Sequence, residues 1–216
     1  MVKRVIDEIK KVISSVEKDT ESPYRQFYLG NDINVTRNVV AFVSLIMGIY
    51  TYSDFLVFNL TLTFFVLLGV RITLVFLGFI TIRYISRLND FRQYDVACFS
   101  WMTIISLVII AINASRPENI LPQIIILDIG VLISYLIIPT RFSFQAIPAT
   151  IFSVGQLTLL ITVFGAGILA EIDIIFFSVL FSNVIGAITS WQIHSYRWKN
   201  FQSHVKAKES EGKKPL

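Results

Sequence analysis

Long apolar stretches separated by short polar ones dominate the chain. Residues 39–82 are almost wholly apolar, and the main polar break within them lies at Ser53–Asn59. One membrane-spanning helix needs about 20 apolar residues, so this stretch is too long for a single helix. The pattern therefore predicts two helices, spans 1 and 2, at residues 37–55 and 62–84.

The rest of the apolar pattern predicts four more spans. A polar loop at residues 114–119 follows span 3, Pro139 closes span 4, and Gly165-Ala-Gly167 closes span 5. Such turn residues mark the ends of helices. The sequence thus predicts an all-α polytopic membrane protein with six transmembrane helices, of which the last four lie at residues 94–113, 120–138, 144–165 and 170–191.

The N-terminal segment 1–18 shows a helical rather than a continuous apolar pattern. Its apolar residues recur at helical spacing, with charged residues on the other face: Val2, Val5, Ile6, Ile9, Val12, Ile13 and Val16. An amphipathic helix of this kind lies on the inner membrane surface, or docks on a partner or on the C-terminal helix. A polar hinge is predicted after it, at Asp19, Ser22 and Pro23.

Three regions follow from this pattern. Residues 1–36 are predicted to form the cytoplasmic amphipathic helix and hinge, and residues 37–191 the six-helix transmembrane domain. Residues 192–216 are predicted to form a cytoplasmic helical extension that ends in a basic, disordered tail.

The distribution of basic residues predicts the orientation. They concentrate in the N-terminal segment, in the loop between spans 2 and 3 and in the C-terminal tail, with Arg141 between spans 4 and 5. The other three loops contain only Arg116. Because cytoplasmic loops carry the excess of Lys and Arg, both termini are predicted to be cytoplasmic, in the plasma membrane (the inner membrane of a bacterium).

Composition supports a membrane protein and limits the chemistry. The chain is 54% hydrophobic and 16% charged, whereas soluble domains are about 25% charged. The lone Cys98 excludes a disulfide within the chain and a multi-cysteine metal site. Sequence motifs of hydrolases, metalloproteases and nucleotide-binding enzymes are absent. The sequence therefore predicts no catalytic residues, no cofactor, no metal and no nucleic-acid partner.

Polar residues within the apolar spans are the candidate ligand or switch residues. Arg71 on span 2 and Asp128 on span 4 lie at similar predicted depths, which predicts a buried ion pair. Such a pair either fixes helix packing or forms a polar pocket or switch open to the outside. Gln156 and Asn183 are candidates to join this network, or to form ordinary interhelical hydrogen bonds.

Acidic residues also cluster at the predicted outer surface: Asp54, Glu118, Glu171 and Asp173. They are interpreted either as solvated loop residues or as a site for a cation or a basic ligand.

Span 6 carries a stripe of small residues. They recur at every fourth position: Ser178, Ser182, Gly186 and Ser190. Small residues at this spacing let another helix approach closely, either within the chain or from a second copy.

The stretch beyond span 6 has a second periodic pattern. Residues at spacings of 3, 4, 3 and 4 form a predicted signal-output seam of a coiled coil: Trp191, His194, Trp198, Phe201 and Val205. An aromatic belt at the membrane surface explains Trp191 and Trp198 equally well. A helix that leaves the membrane without a break is suited to carrying a movement to a cytoplasmic partner.

This layout resembles the multi-span sensor regions that precede diguanylate cyclases and related nucleotide cyclases in bacteria. The resemblance rests on the number of spans and on the segment SWQIHSYRWKNF, Ser190–Phe201. It implies a homodimer, formed through span 6 and the C-terminal helix, that passes a signal to a cytoplasmic output domain in the same chain or a separate one. No GGDEF sequence occurs in the chain.

The sequence thus predicts a membrane-embedded sensor that passes a ligand- or membrane-derived signal through its last helix. The alternative is a small six-helix transporter, or the substrate-binding subunit of an uptake system. Six spans in about 200 residues suit such a subunit, although paired Gly/Pro interruptions and an internal repeat are absent.

Overall fold

The protein folds as a bundle of helices. The computed structural model describes residues 21–115, 120–164 and 172–211, and six helices account for most of them. They are α1 (Glu21–Phe58), α2 (Leu62–Ile85), α3 (Phe91–Ala114), α4 (Ile120–Leu136), α5 (Phe142–Phe164) and α6 (Ile172–Glu211). The predicted all-α class is confirmed. The predicted amphipathic helix at 1–18 and the last residues of the tail lie outside the described residues.

Five of these helices are long and apolar enough to cross a membrane: α1, α2, α3, α5 and α6. Helix α4 has 17 residues and extends about 26 Å at about 1.5 Å per residue, slightly less than the roughly 30 Å hydrocarbon core. It packs alongside α5 and α6. A multi-pass membrane protein is therefore confirmed, whereas a sixth crossing by α4 stays a prediction.

Local side-chain chemistry explains where two of the helices begin. Asn59 follows the last residue of α1 and has a positive φ of 49°, a conformation that Asn adopts more easily than most residues. The hydroxyl of Thr61 then accepts a hydrogen bond from the amide of Phe64 at the start of α2. The carboxylate of Asp90 likewise accepts from the amide of Arg92 at the start of α3. The three-residue turn Asn59–Thr61 makes α1 and α2 an antiparallel hairpin.

Both described ends of the chain lie at the same end of the bundle. We call this the termini end; it comprises the start of α1, the end of α6 and the loops at 86–90 and 137–141. Side-chain contacts join these parts: Gln26 donates to the carbonyl of Asn89 at 2.8 Å, and the rings of Tyr24 and Trp198 lie 5.5 Å apart. The turn Asn59–Thr61 lies at the opposite end.

Two main apolar cores hold the bundle together. One joins α1, the end of α2 and α3 around Val40, Tyr94 and Trp101. The other joins α4, α5 and α6, with Leu127 and Phe152 fully or almost fully buried. Many large apolar side chains remain on the outside, as expected when lipid rather than water surrounds the protein.

Helices α1 and α6 are much longer than the others, with 38 and 40 residues. They extend about 57 and 60 Å, roughly twice the hydrocarbon thickness. Ser22 and Pro23 of the predicted hinge fall in the first turn of α1, where proline is tolerated. Both helices run unbroken across the predicted domain boundaries at residues 36 and 191.

Candidate functional site

A buried ionic cluster lies at the termini end. It consists of three arginines and two aspartates from α1, α3, the α4–α5 loop and α6: Arg25, Asp32, Asp95, Arg141 and Arg197. None of the sequence patterns described above identified these five residues as a group.

Arg25 is the centre of the ionic cluster. It projects from the second turn of α1 and is 2% exposed. Its guanidinium pairs with Asp95 of α3, donates to the carbonyl of Pro139 at 3.1 Å and lies 3.4 Å from a carboxylate oxygen of Asp32. One side chain therefore holds α1 against both α3 and the α4–α5 loop.

Asp32 connects Arg25 to α6. One of its carboxylate oxygens faces Arg25 and the other pairs with Arg197. The Arg197 guanidinium also stacks over the ring of Tyr28, 4.3 Å from its centroid, and Tyr28 donates its hydroxyl proton to the carbonyl of Arg197 at 3.3 Å. The extension of α6 is thus attached to α1 by an ion pair, a cation–π contact and a hydrogen bond.

Asp95 has a second basic neighbour. The Nε of Arg141, in the α4–α5 loop, lies 3.5 Å from its carboxylate, and the Arg141 guanidinium lies 5.7 Å from the ring centroid of Phe91. Burial makes unpaired charges costly, so the paired carboxylates and guanidinium groups depend on one another.

Neutral polar groups support the ionic cluster. The hydroxyls of Thr36 and Tyr94 lie 2.6 Å apart, and Tyr94 donates to the carbonyl of Asp32 at 3.3 Å. Arg25, Asp32 and Thr36 lie seven and four residues apart, so they share one face of α1. That face points into the bundle, as their exposures of 2% or less indicate.

The predicted pairing of Arg71 with Asp128 is wrong. The Arg71 guanidinium makes two hydrogen bonds to the carboxylate of Asp54, and the one from Nη2 measures 3.2 Å. Its Nη1 lies 3.4 Å from the carbonyl oxygen of Met47. Helix α2 packs mainly against α1, its partner in the hairpin, which brings Asp54 rather than Asp128 to Arg71. Asp54 is fully buried, so its interpretation as a solvated loop acid is also wrong.

Asp128 is instead held by hydroxyl groups of α6. Its two carboxylate oxygens accept hydrogen bonds from Ser178 at 2.5 Å and Ser182 at 3.0 Å. An acid in an apolar bundle is stabilised by such donors, although two neutral hydroxyls do not cancel its charge. Asp128 therefore fixes the position of α6 against α4.

The two predicted amides behave differently. Asn183 donates to the hydroxyl of Ser153 at 2.8 Å and to the carbonyl of Val179, which joins α6 to α5. Gln156 is 0% exposed, and neither atom of its amide has a hydrogen-bond partner among the described residues. Neither amide joins Arg71.

The small-residue stripe of α6 packs within the chain. Ser178 and Ser182 contact Asp128, and Ser190 donates to Gln145 of α5 at 2.5 Å. At Gly186 an added methyl group would lie 2.5 Å from the ring of Tyr135, so only glycine allows this approach of α4. The stripe was predicted to pack against a helix of the same chain or of a second copy, and in the structure it packs against α4 and α5 of the same chain.

The predicted signal-output seam does not form one continuous face for a second copy. The rings of Trp198 and Phe201 pack on Tyr24 at centroid distances of 5.5 and 5.9 Å, and His194 is half-buried. Trp191 and Val205 are exposed, by 64% and 37%. The middle of the seam is therefore occupied by α1 of the same chain.

Of the remaining predicted outer acids, Asp173 is exposed, while Glu118 and Glu171 lie outside the described residues. In the described ranges 21–115, 120–164 and 172–211, no three His, Cys, Asp or Glu side chains are grouped to hold a metal ion.

A sequence signal for the ionic cluster did exist. Arg25 and Asp32 are seven residues apart, two turns of a helix, but they fall in the segment 1–36 that the sequence predicts to be cytoplasmic. Asp95 stands at the start of an apolar span, where an acid needs a partner.

Comparison of the chain with protein-family models, with curated proteins and with solved structures found no match.

Proposed function

We propose that the protein is a membrane-embedded sensor and signal-transduction module, which passes a change within the bundle through α6 to a cytoplasmic output domain. One observation carries this proposal. Helix α6 is a single 40-residue helix that contacts Asp128 through Ser178 and Ser182, and pairs with Asp32 through Arg197.

The two contact sites are separated along α6 by 19 residues, or about 28 Å. A continuous helix transmits a shift or rotation from one site to the other, because its backbone hydrogen bonds resist bending and stretching. A ligand or membrane state that favours a different position of α6 at Asp128 would thus alter the ionic cluster at the termini end.

The rest of the proposal concerns orientation and partners. The excess of basic residues at the termini end supports placing that end in the cytoplasm of a bacterial cell. A second copy would have to contact α6 outside its buried stripe. The outward side chains near the membrane edge, such as Ile188 and Trp191, offer such a surface, being 51% and 64% exposed.

Spin-label distances test the coupling. Labels on Asn31→Cys and Ser203→Cys, in a Cys98→Ser background, report the position of the α6 extension relative to α1 in the full chain. Ser178→Ala with Ser182→Ala should broaden or shift this distance by a few ångströms. The control is Thr158→Ala, which removes a hydroxyl bonded only to its own helix at Val154. Equal distance distributions in the double serine variant and in Thr158→Ala would refute coupling through α6.

A transporter is the second candidate, and Gln156 favours it. Buried polar groups inside a membrane bundle often mark substrate or ion pathways, and this amide has no hydrogen-bond partner among the described residues. A transporter should move a small solute into protein-containing vesicles, and Gln156→Leu should abolish that uptake without changing the spin-label distance.

A further inference from the structure

A groove of about 510 Å³ opens on the outside of the bundle between α2 and α3. These two helices make fewer contacts than α1 and α2 do, which leaves space between them. The walls are apolar along most of the groove: Leu77, Ile80, Val96, Ala97, Trp101 and Ile104. The groove therefore suits a hydrocarbon chain.

The charged and amide side chains lie at one end of the groove, whereas farther along its walls the polar lining residues are Thr81 and Ser100. Tyr84, Arg92 and Gln93 line it at the termini end. Arg92 is exposed, and Arg83 and Arg87 add two exposed positive charges nearby in the sequence. The acidic residue of this loop, Asp90, is engaged with the amide of Arg92 at the start of α3. The mouth of the groove is thus basic.

The length of the groove matches one leaflet of a bilayer. From Arg92 to Ile104 the α3 wall extends about 18 Å, and half of the hydrocarbon core is about 15 Å. The basic mouth lies at the level of the loop that joins α2 to α3, where a lipid headgroup would lie. The length, the apolar walls and the basic mouth of the groove therefore all fit a lipid with an anionic headgroup.

We propose that this groove binds one anionic phospholipid of the inner leaflet, with its phosphate at Arg92 and Gln93 and one acyl chain along Val96 and Trp101. Basic pockets between transmembrane helices bind anionic headgroups in this way. Trp101 is 5% exposed, and its indole Nε1–H has no hydrogen-bond acceptor among the described residues. The site would operate whether the bundle signals or transports.

Tryptophan quenching tests the lipid site in the full chain. The chain has three tryptophans, so Trp191→Phe with Trp198→Phe leaves Trp101 as the fluorophore. The protein is placed in phosphatidylcholine vesicles doped with phosphatidylglycerol or phosphatidylcholine brominated on the acyl chains. Brominated phosphatidylglycerol should quench Trp101 at about fivefold lower mole fraction than brominated phosphatidylcholine.

Charge variants identify the residue responsible. Arg92→Gln should remove the preference for phosphatidylglycerol, whereas Arg92→Lys should keep most of it. Arg37→Gln removes an exposed arginine from α1 and should change nothing. Equal quenching by the two lipids, or a preference that survives Arg92→Gln, would overturn the proposal. Absence of quenching by either lipid would also overturn it, because the groove would then be closed to lipid.

Discussion

The two ends of the bundle neutralise buried arginines in different ways. Near the opposite end, Arg71 pairs with Asp54, only 17 residues away and in the same hairpin. At the termini end, Arg25 pairs with Asp95 across 70 residues, and Asp32 pairs with Arg197 across 165. The first pair needs two helices; the second set needs α1, α3 and α6 together.

The Arg71–Asp54 pair and the ionic cluster therefore contribute to different stages of assembly. The Arg71–Asp54 pair can form as soon as the hairpin closes, and it fixes the alignment of α1 with α2. The ionic cluster forms only when distant parts of the chain have assembled. Its integrity therefore depends on the position of the α6 extension.

The largest effect is expected from breaking the ionic cluster. Asp95→Asn removes the carboxylate that pairs with Arg25 and Arg141, and should lower the free energy of unfolding by about 3 kcal/mol, since the buried Arg25 guanidinium loses the closer of its two carboxylate partners. The measurement is equilibrium unfolding in mixed micelles. The control Asp173→Asn makes the same change at an exposed position and should stay within about 0.5 kcal/mol. If both variants unfold alike, the ionic cluster does not stabilise the bundle.

A double-mutant cycle should give the next largest effect, within the hairpin. Arg71→Met and Asp54→Asn should show a coupling energy of about 1–3 kcal/mol, because each residue is the other's charged partner. Arg71→Met and Asp128→Asn should be additive within about 0.5 kcal/mol, since no contact joins them. A larger coupling energy for Arg71 with Asp128 than for Arg71 with Asp54 would support the pairing predicted from the sequence.

The smallest effect concerns a position away from both charge sets. Gly186→Ala should destabilise the protein by about 1 kcal/mol, because the new methyl group would overlap the ring of Tyr135 and push α4 away from α6. Gly69→Ala is the control: no atom outside its own helix lies within 4 Å of the added carbon. Equal unfolding curves for the two variants would mean that Tyr135 moves aside freely.

Hydropathy predicted the helices well because it depends on local composition. The polar break at residues 53–59 marked the vicinity of the first turn, which begins at Asn59, and the small residues of α6 correctly indicated close helix packing. Each of these signals lies within one short segment of the chain.

The partners of the buried charges could not be predicted in this way. Equal depth in the membrane is a weak criterion, because it selected Asp128 for Arg71, whereas Asp54, which the sequence placed at the outer surface, is the residue that pairs with it. Which one pairs depends on which helices are neighbours, and that is a property of the whole bundle. For the same reason Trp198 and Phe201 were assigned to a second copy, although α1 contacts them.

The Arg71–Asp54 pair also has a consequence for biosynthesis. A lone arginine within a span raises the free energy of insertion from the translocon by up to about 2.5–3.5 kcal/mol. The apolar residues of α2 outweigh this cost, but the arginine remains unneutralised until Asp54 is beside it. We therefore expect α1 to wait at the lateral gate of the translocon and to enter the bilayer together with α2.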